Sequence, residues 1–536
     1  MKKLVSRFMA VLMAMTMILS MSMTAFAAEA PKGTLTVNNT VAGKTLDLYQ
    51  IFTATKNGDN VAYTLNSAYE GFFQSKITDA STLKGEALSE KAYEYVKTQV
   101  GEDGKNGVNF AKAMLTWILS NTSTVDATHK TVTTATGSTE IANLAYGYYV
   151  VYPLGATDTS TAPGEQDYTS VASLVSVTGD TSINMKSNYP TVVKKVNDKN
   201  ADDVNIGDTV TYTLTSKVPD MTGYTSYVFN FKDTLSAGLT FKEITSVTVG
   251  SGENVQNVTA GTGDNTYTLT QDEQNITIIM NNFLASNANK AGQEIKVTYT
   301  ATLNKDAVTG FDPNTNKATV EYSNKPGTNE KGESEPSIVD VHTFNFTIFK
   351  YYLKDETKTA LANAEFELYK ANTAGNAADT DAKINIVDEG KGVYRQATAD
   401  EAKVTGFTSA KIVSDDDGKV LVKGLDAGTY YLRETKAPEG YNKLLSDITV
   451  EIKANYDKTT GKLTSYSVDY TYNGKTTNGA AITNKTDSPE VAVENKTGAQ
   501  LPSTGSKGAL MVTLAGIVLF GVLTASKAFG KKKAKN

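Results

Sequence analysis

Short segments that alternate apolar and polar residues, separated by turn residues, constrain the fold of this chain more than any other feature. Residues 208–214 and 295–300 are two examples, both rich in Thr, Val and Tyr. Successive side chains of a strand point to opposite faces, so this period of two places every second residue in a core. Turns of Gly, Asn and Asp between such segments are typical of β-sandwiches. The sequence therefore predicts a mainly β protein of tandem immunoglobulin-like sandwiches.

The first part of the chain, residues 28–189, combines strands with helices and predicts an N-terminal α+β domain. Its expected strands are residues 33–37, 46–52 and 147–153, and its expected helices are residues 91–100 and 109–120. The second helix has one apolar face, which we expect to be buried, formed by Phe110, Ala113, Met114, Trp117 and Ile118.

Both ends carry processing signals. Residues 1–27 have a basic start, a long apolar run and the small-residue pattern Ala25-Phe26-Ala27, which is typical of a secretory signal peptide. Residues 508–526 form an uncharged apolar run followed by five lysines, which predicts a transmembrane helix with its basic end inside. Both segments hold basic but no acidic residues, so the mature chain is more acidic than the net charge of −6 of the whole. Nucleic acid is therefore not an expected partner.

A sorting signal precedes the apolar run. Leu501-Pro502-Ser503-Thr504-Gly505 resembles the L-P-x-T-G motif that sortase transpeptidases cut between Thr and Gly. The anchor would hold the chain while this extended, proline-stiffened peptide stays outside for the enzyme. The resemblance implies secretion, cleavage at Thr504 and anchoring to peptidoglycan at the cell surface.

Two further domains resemble known surface modules. The second domain, residues 190–341, contains the segment 231–241 and the closing strand-like segment 316–324. Both segments resemble the fimbrial isopeptide-forming D2 domain of the CnaA type. Residues 342–486 contain the run G-x-Y-x-L-x-E-x-x-A-P-x-G-Y at 428–441, which resembles the CnaB, or prealbumin-like, domain. The polar segment 487–500 is expected to be a linker before the sorting signal.

Together, the ends and the three domains resemble a sortase-assembled Gram-positive major pilin, the shaft subunit of a covalent pilus that supports cell adhesion. The chain of 536 residues has no Cys. Disulfides, the usual crosslinks of exported proteins, are therefore impossible. The resemblance implies a different crosslink, an amide between a Lys and an Asn inside each of the last two domains.

In the third domain, the residues expected to form this bond are Lys350, Asn484 and the acid Glu434. Lys350 lies among apolar residues, so burial would lower its pKa and favour the neutral amine that can attack an amide carbon. Glu434 would hydrogen-bond the Asn carbonyl and move protons while ammonia leaves. Holding the three groups in contact would turn a very slow amide exchange into an intramolecular reaction.

In the second domain, the matching set is Lys194, Asp233 and Asn324. Lys195 and Asn316 compete with two of these positions. Strand alternation points only one of the adjacent lysines inward, and Lys194 shares a face with apolar neighbours. Asn324 is preferred because it ends its strand, as Asn484 does.

The family also needs an amine that receives the Thr504 carbonyl of the next subunit. That amine belongs to a Lys near the junction of the first two domains, often in a Tyr-Pro-Lys-Asn stretch, which this sequence lacks. The nearest candidate is Lys186. Without such a Lys, the alternative is a monomeric wall-anchored adhesin that binds a host matrix or glycan ligand. The expected partners are a sortase, neighbouring pilin subunits, peptidoglycan and a host surface ligand.

Other chemistry is disfavoured. The acidic run 414–418 lacks the spacing and closing Glu of a calcium loop and predicts a tight turn. The only two histidines, His129 and His342, have no partner at ligand spacing, so neither a zinc site nor a His-based triad is expected. We expect no cofactor, no metal and no enzyme activity on other molecules.

Overall fold

A computed structural model describes residues 31–101, 107–157, 171–185 and 189–498 of the chain. Strands in this part form six sheets, two for each of three successive units. The strand-rich pattern of the sequence thus folds as three pairs of sheets, and each pair encloses the apolar side chains of its alternating strands.

The first unit pairs a three-stranded sheet with a larger sheet that carries helices. The small sheet has the order β5-β1-β8, with β1 and β8 parallel. The larger sheet has the order β3-β2-β6-β7, and β4 also pairs with β2. The strands are β1 (Lys32–Thr40), β2 (Thr45–Asn57), β3 (Asn60–Leu65), β4 (His129–Thr133), β5 (Gly137–Ala145), β6 (Gly147–Pro153), β7 (Ser173–Val177) and β8 (Thr181–Asn184).

The helices of the first unit pack on its larger sheet. They are α1 (Glu70–Lys76), α2 (Gly85–Val100), α3 (Gly107–Ser120) and α4 (Thr122–Val125), with 3-10 turns at Ser67–Tyr69 and Asp126–Thr128. Both expected helices are present and begin earlier than expected. On α3, Phe110, Met114 and Ile118 are buried, whereas Trp117 is only partly buried and packs its ring 6.1 Å from that of Phe72.

The second unit is a sandwich of a large and a five-stranded sheet. The five-stranded sheet has the order β14-β13-β18-β11-β9, and the facing sheet runs β10-β21-β19-β12-β17-β16-β15, with β20 on β19. One short helix, α5 (Phe283–Asn287), and a 3-10 turn at Gly252–Asn254 lie in its connections. The strands are β9 (Val193–Val196), β10 (Ala201–Asp203), β11 (Thr209–Lys217), β12 (Phe229–Leu235), β13 (Leu239–Val249), β14 (Gln256–Asn257), β15 (Thr259–Ala260), β16 (Thr266–Asp272), β17 (Asn275–Met280), β18 (Glu294–Leu303), β19 (Asn314–Ser323), β20 (Lys331–Glu333) and β21 (Ser337–His342).

The third unit is a second sandwich, with sheet orders β23-β22-β29-β27-β26 and β25-β24-β30-β31-β32-β33. β34 pairs with β22, β28 pairs with β24, and the short helix α6 (Ala399–Ala402) follows β27. The strands are β22 (Phe344–Lys354), β23 (Thr357–Ala360), β24 (Glu365–Ala371), β25 (Ala378–Lys383), β26 (Ile386–Gly390), β27 (Val393–Gln396), β28 (Ile412–Val413), β29 (Lys419–Leu425), β30 (Gly428–Lys436), β31 (Ile448–Tyr456), β32 (Leu463–Tyr472), β33 (Lys475–Thr477) and β34 (Glu490–Glu494).

The segment 487–500, expected to be a linker, contains a strand of the third sandwich. β34 runs parallel to β22, with Val493 opposite Lys350. Val491 and Val493 are buried in the core of this unit. Two inward valines give this polar segment enough apolar surface to complete the sheet, and this short alternation was overlooked in the sequence.

The predicted fold class, a mainly β chain of tandem sandwiches with an α+β start, is confirmed.

Neighbouring units also touch. Lys44 of the first unit donates hydrogen bonds to the Tyr322 hydroxyl at 3.1 Å and the Glu333 carbonyl at 3.2 Å in the second. Asp203 of the second unit accepts a hydrogen bond from the Tyr456 hydroxyl in the third at 2.8 Å.

Candidate functional site

Four inward side chains of the second sandwich meet in its core. Lys194 lies on β9, Asp233 on β12, Tyr299 on β18 and Asn316 on β19, so both sheets contribute. Each is at most 2% exposed. Alternation explains this placement, because each residue shares its strand face with buried apolar neighbours. The sandwich therefore encloses one Lys, one acid, one phenol and one amide between its two sheets.

The hydrogen bonds of this cluster converge on Tyr299. Its hydroxyl lies 2.8 Å from Lys194 Nζ and 2.8 Å from Asp233 Oδ2, and Asn316 Nδ2 lies 2.7 Å from the same oxygen. Lys194 also pairs directly with Asp233. The Oδ1 atoms of Asp233 and Asn316 are buried and have no hydrogen-bond partner among the described residues.

Burial sets the electrostatics of the cluster. It lowers the pKa of Lys194 to about 8, and the neighbouring Asp233 only partly offsets this effect. Burial also raises the pKa of Tyr299 well above its usual value, with the charge of Asp233 as the next cause. Near neutral pH a larger fraction of this amine is therefore neutral and nucleophilic than for an exposed lysine, while the phenol keeps its proton.

The register of β12 and β19 corrects the choice of Asn324. Asp233 lies opposite Ala318, two residues from Asn316. Asn324 lies six residues beyond Ala318, a distance of roughly 20 Å along an extended strand. It is half-buried, and its backbone N–H donates to the Glu330 carbonyl. Asn316, the alternative left open by the sequence, is the amide that the fold places beside Lys194.

The adjacent Lys195 points the other way. It is only partly buried and pairs with the side-chain oxygen of Asn200. The buried member of the pair is Lys194, whose backbone N–H donates to the Ser337 hydroxyl at 2.9 Å. The strand period therefore places the lysine expected from the sequence, rather than its neighbour, inside the sandwich.

A second cluster of the same kind lies in the third sandwich. Lys350 is on β22, Glu434 is on β30, and Asn495 directly follows β34. Each is at most 2% exposed. The parallel pairing of β34 with β22 brings the amide to the lysine, and the Asn495 N–H donates to the Tyr351 carbonyl at 2.9 Å.

The two oxygens of Glu434 bridge this second cluster. Oε1 lies 3.1 Å from Lys350 Nζ, and Oε2 accepts from Asn495 Nδ2 at 3.1 Å and from the Leu444 N–H at 2.8 Å. Asn495 Nδ2 also donates to the Asn442 carbonyl at 2.7 Å. Burial lowers the pKa of Lys350 to about 8, partly offset by Glu434. The Oδ1 atom of Asn495 is buried without a hydrogen-bond partner among the described residues.

The structure does not bring Asn484, the amide expected in this domain, to Lys350. Asn484 is exposed, and its Oδ1 accepts from the backbone N–H groups of Thr486 at 2.9 Å and Asp487 at 3.2 Å. It therefore shapes the turn before β34, which is a common role of Asn. Asn495 occupies the position expected of Asn484, because the domain ends one strand later than the sequence predicted.

Three residues of these clusters were missed or set aside at the level of sequence. Asn495 follows the alternation of Val491 and Val493, which is the signal that could have identified it. Asn316 shares its face with the buried Ala318 and Val320 on β19. Tyr299 has the same parity as Val297 in a segment whose alternation is plain in the sequence. What the sequence could not supply was the register between strands.

Both clusters have the groups that an amide exchange needs. Each encloses an amine with a lowered pKa, an acid and a carboxamide, linked by Glu434 in the third domain and through the Tyr299 hydroxyl in the second. All of these side chains are buried between the sheets. Proximity of this kind can replace an intermolecular encounter by an intramolecular step.

Other expected features fall outside the described residues or carry no metal chemistry. Residues 1–27, Lys186, the sorting signal 501–505 and the apolar run 508–526 are outside the described ranges. Within those ranges, no helix is long and apolar enough to cross a bilayer and no group of acidic residues or histidines could hold a metal ion. The acidic run ends in a turn, with the Gly418 N–H donating to the Asp415 carbonyl at 2.9 Å and Gly418 at φ 69°.

Comparison with known proteins adds an independent finding for the second and third domains. Residues 347–466 match the family model of the SpaA prealbumin-like fold domain. Residues 206–326 match the model of the Gram-positive pilin backbone subunit 2, Cna-B-like domain. Both domains are similar to Gram-positive pilin domains. This confirms the resemblance inferred from the motifs, although the second domain, which we compared with the CnaA type, matches a model described as Cna-B-like.

A curated relative is the trypsin-resistant surface T6 protein of Streptococcus pyogenes serotype M6. It is 28% identical over 321 residues, which cover 55% of this chain and 51% of the relative. The match thus spans about half of that protein's length.

Two solved structures are among those that the chain matches. The T6 backbone pilin of S. pyogenes has 16% identity and a TM-score of 0.46, over 88% of this chain and 100% of that one. The fimbrial protein FimP from Actinomyces oris has 16% identity and a TM-score of 0.47, over 88% of this chain and 99% of that one.

Proposed function

We propose that this chain is the structural shaft subunit of a covalently polymerised pilus on a Gram-positive cell surface. It is exported, cut by a sortase at Thr504 and joined to an amine of the neighbouring subunit, for which Lys186 is the candidate. The last subunit is anchored to peptidoglycan, and the assembled fibre supports adhesion. The similarity of two domains to pilin domains supports this role.

We also propose that two internal amide bonds form without an enzyme, Lys194–Asn316 in the second domain and Lys350–Asn495 in the third. Each Lys nitrogen attacks the Asn side-chain carbon, and ammonia leaves. Asp233 and Glu434 accept and return the protons. The observation that carries this proposal is the repetition of one cluster, a buried Lys held by a buried acid beside a buried Asn, in two separate sandwiches.

Such bonds would serve a fibre that has no cysteine. Lys350 lies on the first strand of its sandwich, and Asn495 follows the last. A bond between them would link the first strand covalently to the end of the domain, so that the sandwich resists unfolding under tension and proteolysis. In the second sandwich Lys194 is on the first strand, and Asn316 lies on a central strand of the opposite sheet, so this bond would join the two sheets.

The test is the intact mass of a recombinant 28–500 fragment together with tryptic mapping of its crosslinks. We expect a deficit of two ammonia molecules, with branched peptides that join Lys194 to Asn316 and Lys350 to Asn495. A full mass without branched peptides would contradict the proposal and leave an uncrosslinked surface protein.

The second candidate function is a monomeric wall-anchored adhesin, and the polymer test separates the two. Surface material from cells that express the chain with a sortase should yield a branched peptide in which Thr504 is joined to Lys186. Recovery of Thr504 joined only to peptidoglycan would favour the adhesin. Lys186→Arg, which keeps the charge but removes the primary amine, should abolish the ladder of polymers while leaving the internal bonds intact.

A further inference from the structure

The hydroxyl of Tyr299 stands between all three reacting groups of the second domain. One oxygen is within 2.8 Å of Lys194 Nζ and Asp233 Oδ2 and 2.7 Å from Asn316 Nδ2. It donates its proton to Asp233 and accepts from the amine and the amide. Asn316 Nδ2 is the nitrogen that must leave as ammonia, so the phenol touches both the nucleophile and the leaving group.

The third domain shows why the second needs this hydroxyl. Glu434 reaches Lys350 with Oε1 and Asn495 Nδ2 with Oε2, so a single carboxylate contacts both reactants. Asp233 is one methylene shorter. Its Oδ2 contacts Lys194 and Tyr299, and no hydrogen bond joins it to Asn316 among the residues that the structure describes. Tyr299 fills the gap between the acid and the amide.

We propose that Tyr299 is a catalytic residue of the second domain, a proton relay that carries a proton from Asp233 to the departing nitrogen of Asn316. This role rests on the amide bond proposed above. The Lys194 nitrogen bonds to Asn316 Cγ and gives one proton to Asp233. Asp233 passes a proton to the Tyr299 oxygen as Tyr299 gives its own proton to Nδ2. The Cγ–Nδ2 bond breaks, ammonia leaves, and both side chains return to their starting state.

The surroundings hold the phenol ready for this task. The Tyr212 ring stacks on Tyr299 with the centroids 5.1 Å apart, and the Phe241 ring lies 5.8 Å away. Burial keeps the pKa of Tyr299 well above the working pH, so the group remains a proton donor. These two rings restrict the movement of the Tyr299 ring and so help to keep its hydroxyl near the three partners.

The experiment follows bond formation in newly made chains. The 28–500 fragment is synthesised in a cell-free system, sampled over time and analysed by intact mass and by mapping of the two branched peptides. In Tyr299→Phe, we expect the rate of Lys194–Asn316 bond formation to fall by at least about a hundredfold, because a positioned acid–base group usually contributes this much. The Lys350–Asn495 bond of the same molecules should form at the wild-type rate.

Tyr212→Phe is the matched control. Tyr212 also lies near the reactants, with its ring 4.9 Å from Lys194 Nζ and its hydroxyl close to Asn316. The substitution keeps the ring and removes a neighbouring buried hydroxyl, but none of the three hydrogen bonds that Tyr299 makes. It should leave the rate of Lys194–Asn316 formation within about threefold of wild type. A loss in Tyr212→Phe as large as that in Tyr299→Phe would indicate a packing role and overturn the relay.

A second variant separates chemistry from folding. The double variant Asp233→Glu/Tyr299→Phe gives the second domain the longer carboxylate that contacts both reactants in the third. It should form the Lys194–Asn316 bond at least tenfold faster than Tyr299→Phe alone. The double variant also decides the case in which Tyr299→Phe forms neither bond. Recovery of the Lys194–Asn316 bond would then support the relay, and no recovery would overturn it. A wild-type chain that forms no Lys194–Asn316 bond would refute the proposed function itself, whereas a normal rate in Tyr299→Phe would refute only the relay.

Discussion

At the scale of single residues, two lysines that are fully removed from water define the chemistry of this chain. Burying a charge costs free energy unless the charge is paired. Burial lowers the pKa of both amines to about 8, and an amine that forms an amide no longer carries a charge. Lys194 and Lys350 each have an acid and an amide within reach. The amide bonds proposed above would remove both charges permanently.

We expect Asn316→Ala and Asn495→Ala each to eliminate one ammonia loss and to leave the other bond intact. Each variant reopens a loop on the order of 100 residues, for which the chain-entropy treatment of a crosslink gives about 5 kcal/mol. Intact mass and denaturant unfolding of the 28–500 fragment measure both effects.

Asn324→Ala and Asn484→Ala are the matched controls, because these amides lie outside the clusters. Both should keep the full deficit of two ammonia molecules, with a change in the free energy of unfolding within about 1 kcal/mol. Loss of a branched peptide in either control would restore the pairing first expected from the sequence.

At the scale of elements, β34 connects the packing of the third sandwich to the proposed Lys350–Asn495 bond. The strand holds two buried valines and ends one residue before Asn495. Its pairing with β22 positions the amide, so any weakening of the strand should also weaken bond formation. Stability and chemistry depend here on the same five residues.

Val493→Ala should destabilise the third sandwich by about 2 kcal/mol through lost burial and a small cavity. It should also slow formation of the Lys350–Asn495 bond, because Val493 lies opposite Lys350 in the parallel pair. Thermal melting and the time course of ammonia loss measure the two effects. Ala492→Ser, on the opposite face of the strand, should change neither; equal effects of both substitutions would mean that β34 does not position the amide.

At the scale of the whole molecule, the junction of the second and third sandwiches contains an unpaired histidine. His342 ends β21, and its ring lies 6.0 Å from that of Tyr456 in the third unit. Neither ring nitrogen has a hydrogen-bond partner among the described residues. Burial lowers the pKa of His342 to about 4, partly offset by the charge of Asp312.

This histidine should make the junction sensitive to acid. Between about pH 6.5 and 4 the unfolded chain binds a proton that the folded chain does not, so the stability that His342 contributes is present above pH 6.5 and is lost as the pH falls. The loss amounts to at most about 3 kcal/mol. Melting temperatures of wild type and His342→Phe, measured from pH 7 to 4, should diverge on acidification, with the variant less affected. Parallel curves would show that His342 does not titrate in this range.

The sequence by itself determined the class of fold and suggested the chemistry proposed for its lysines. Alternating segments require sheets whatever their order, because a strand must bury one face. The motifs of residues 428–441 and 316–324 indicated pilin-like sandwiches, and local alternation selected Lys194 over Lys195. These properties depend on residues close together in the chain, so they can be read without knowing which strands are neighbours.

Only the tertiary structure decided which amide meets each lysine. Asn316 lies on β19 and Asn324 directly follows this strand with the same parity, so only the register against Asp233 separates them. Asn495 reaches Lys350 because β34 returns in parallel to the first strand of its sandwich, a pairing across most of the domain. Tyr299 joins its cluster from a fourth strand, β18. Register and long-range pairing arise from the packing of the complete core, and a pattern of period two is unchanged when a strand slides by two residues.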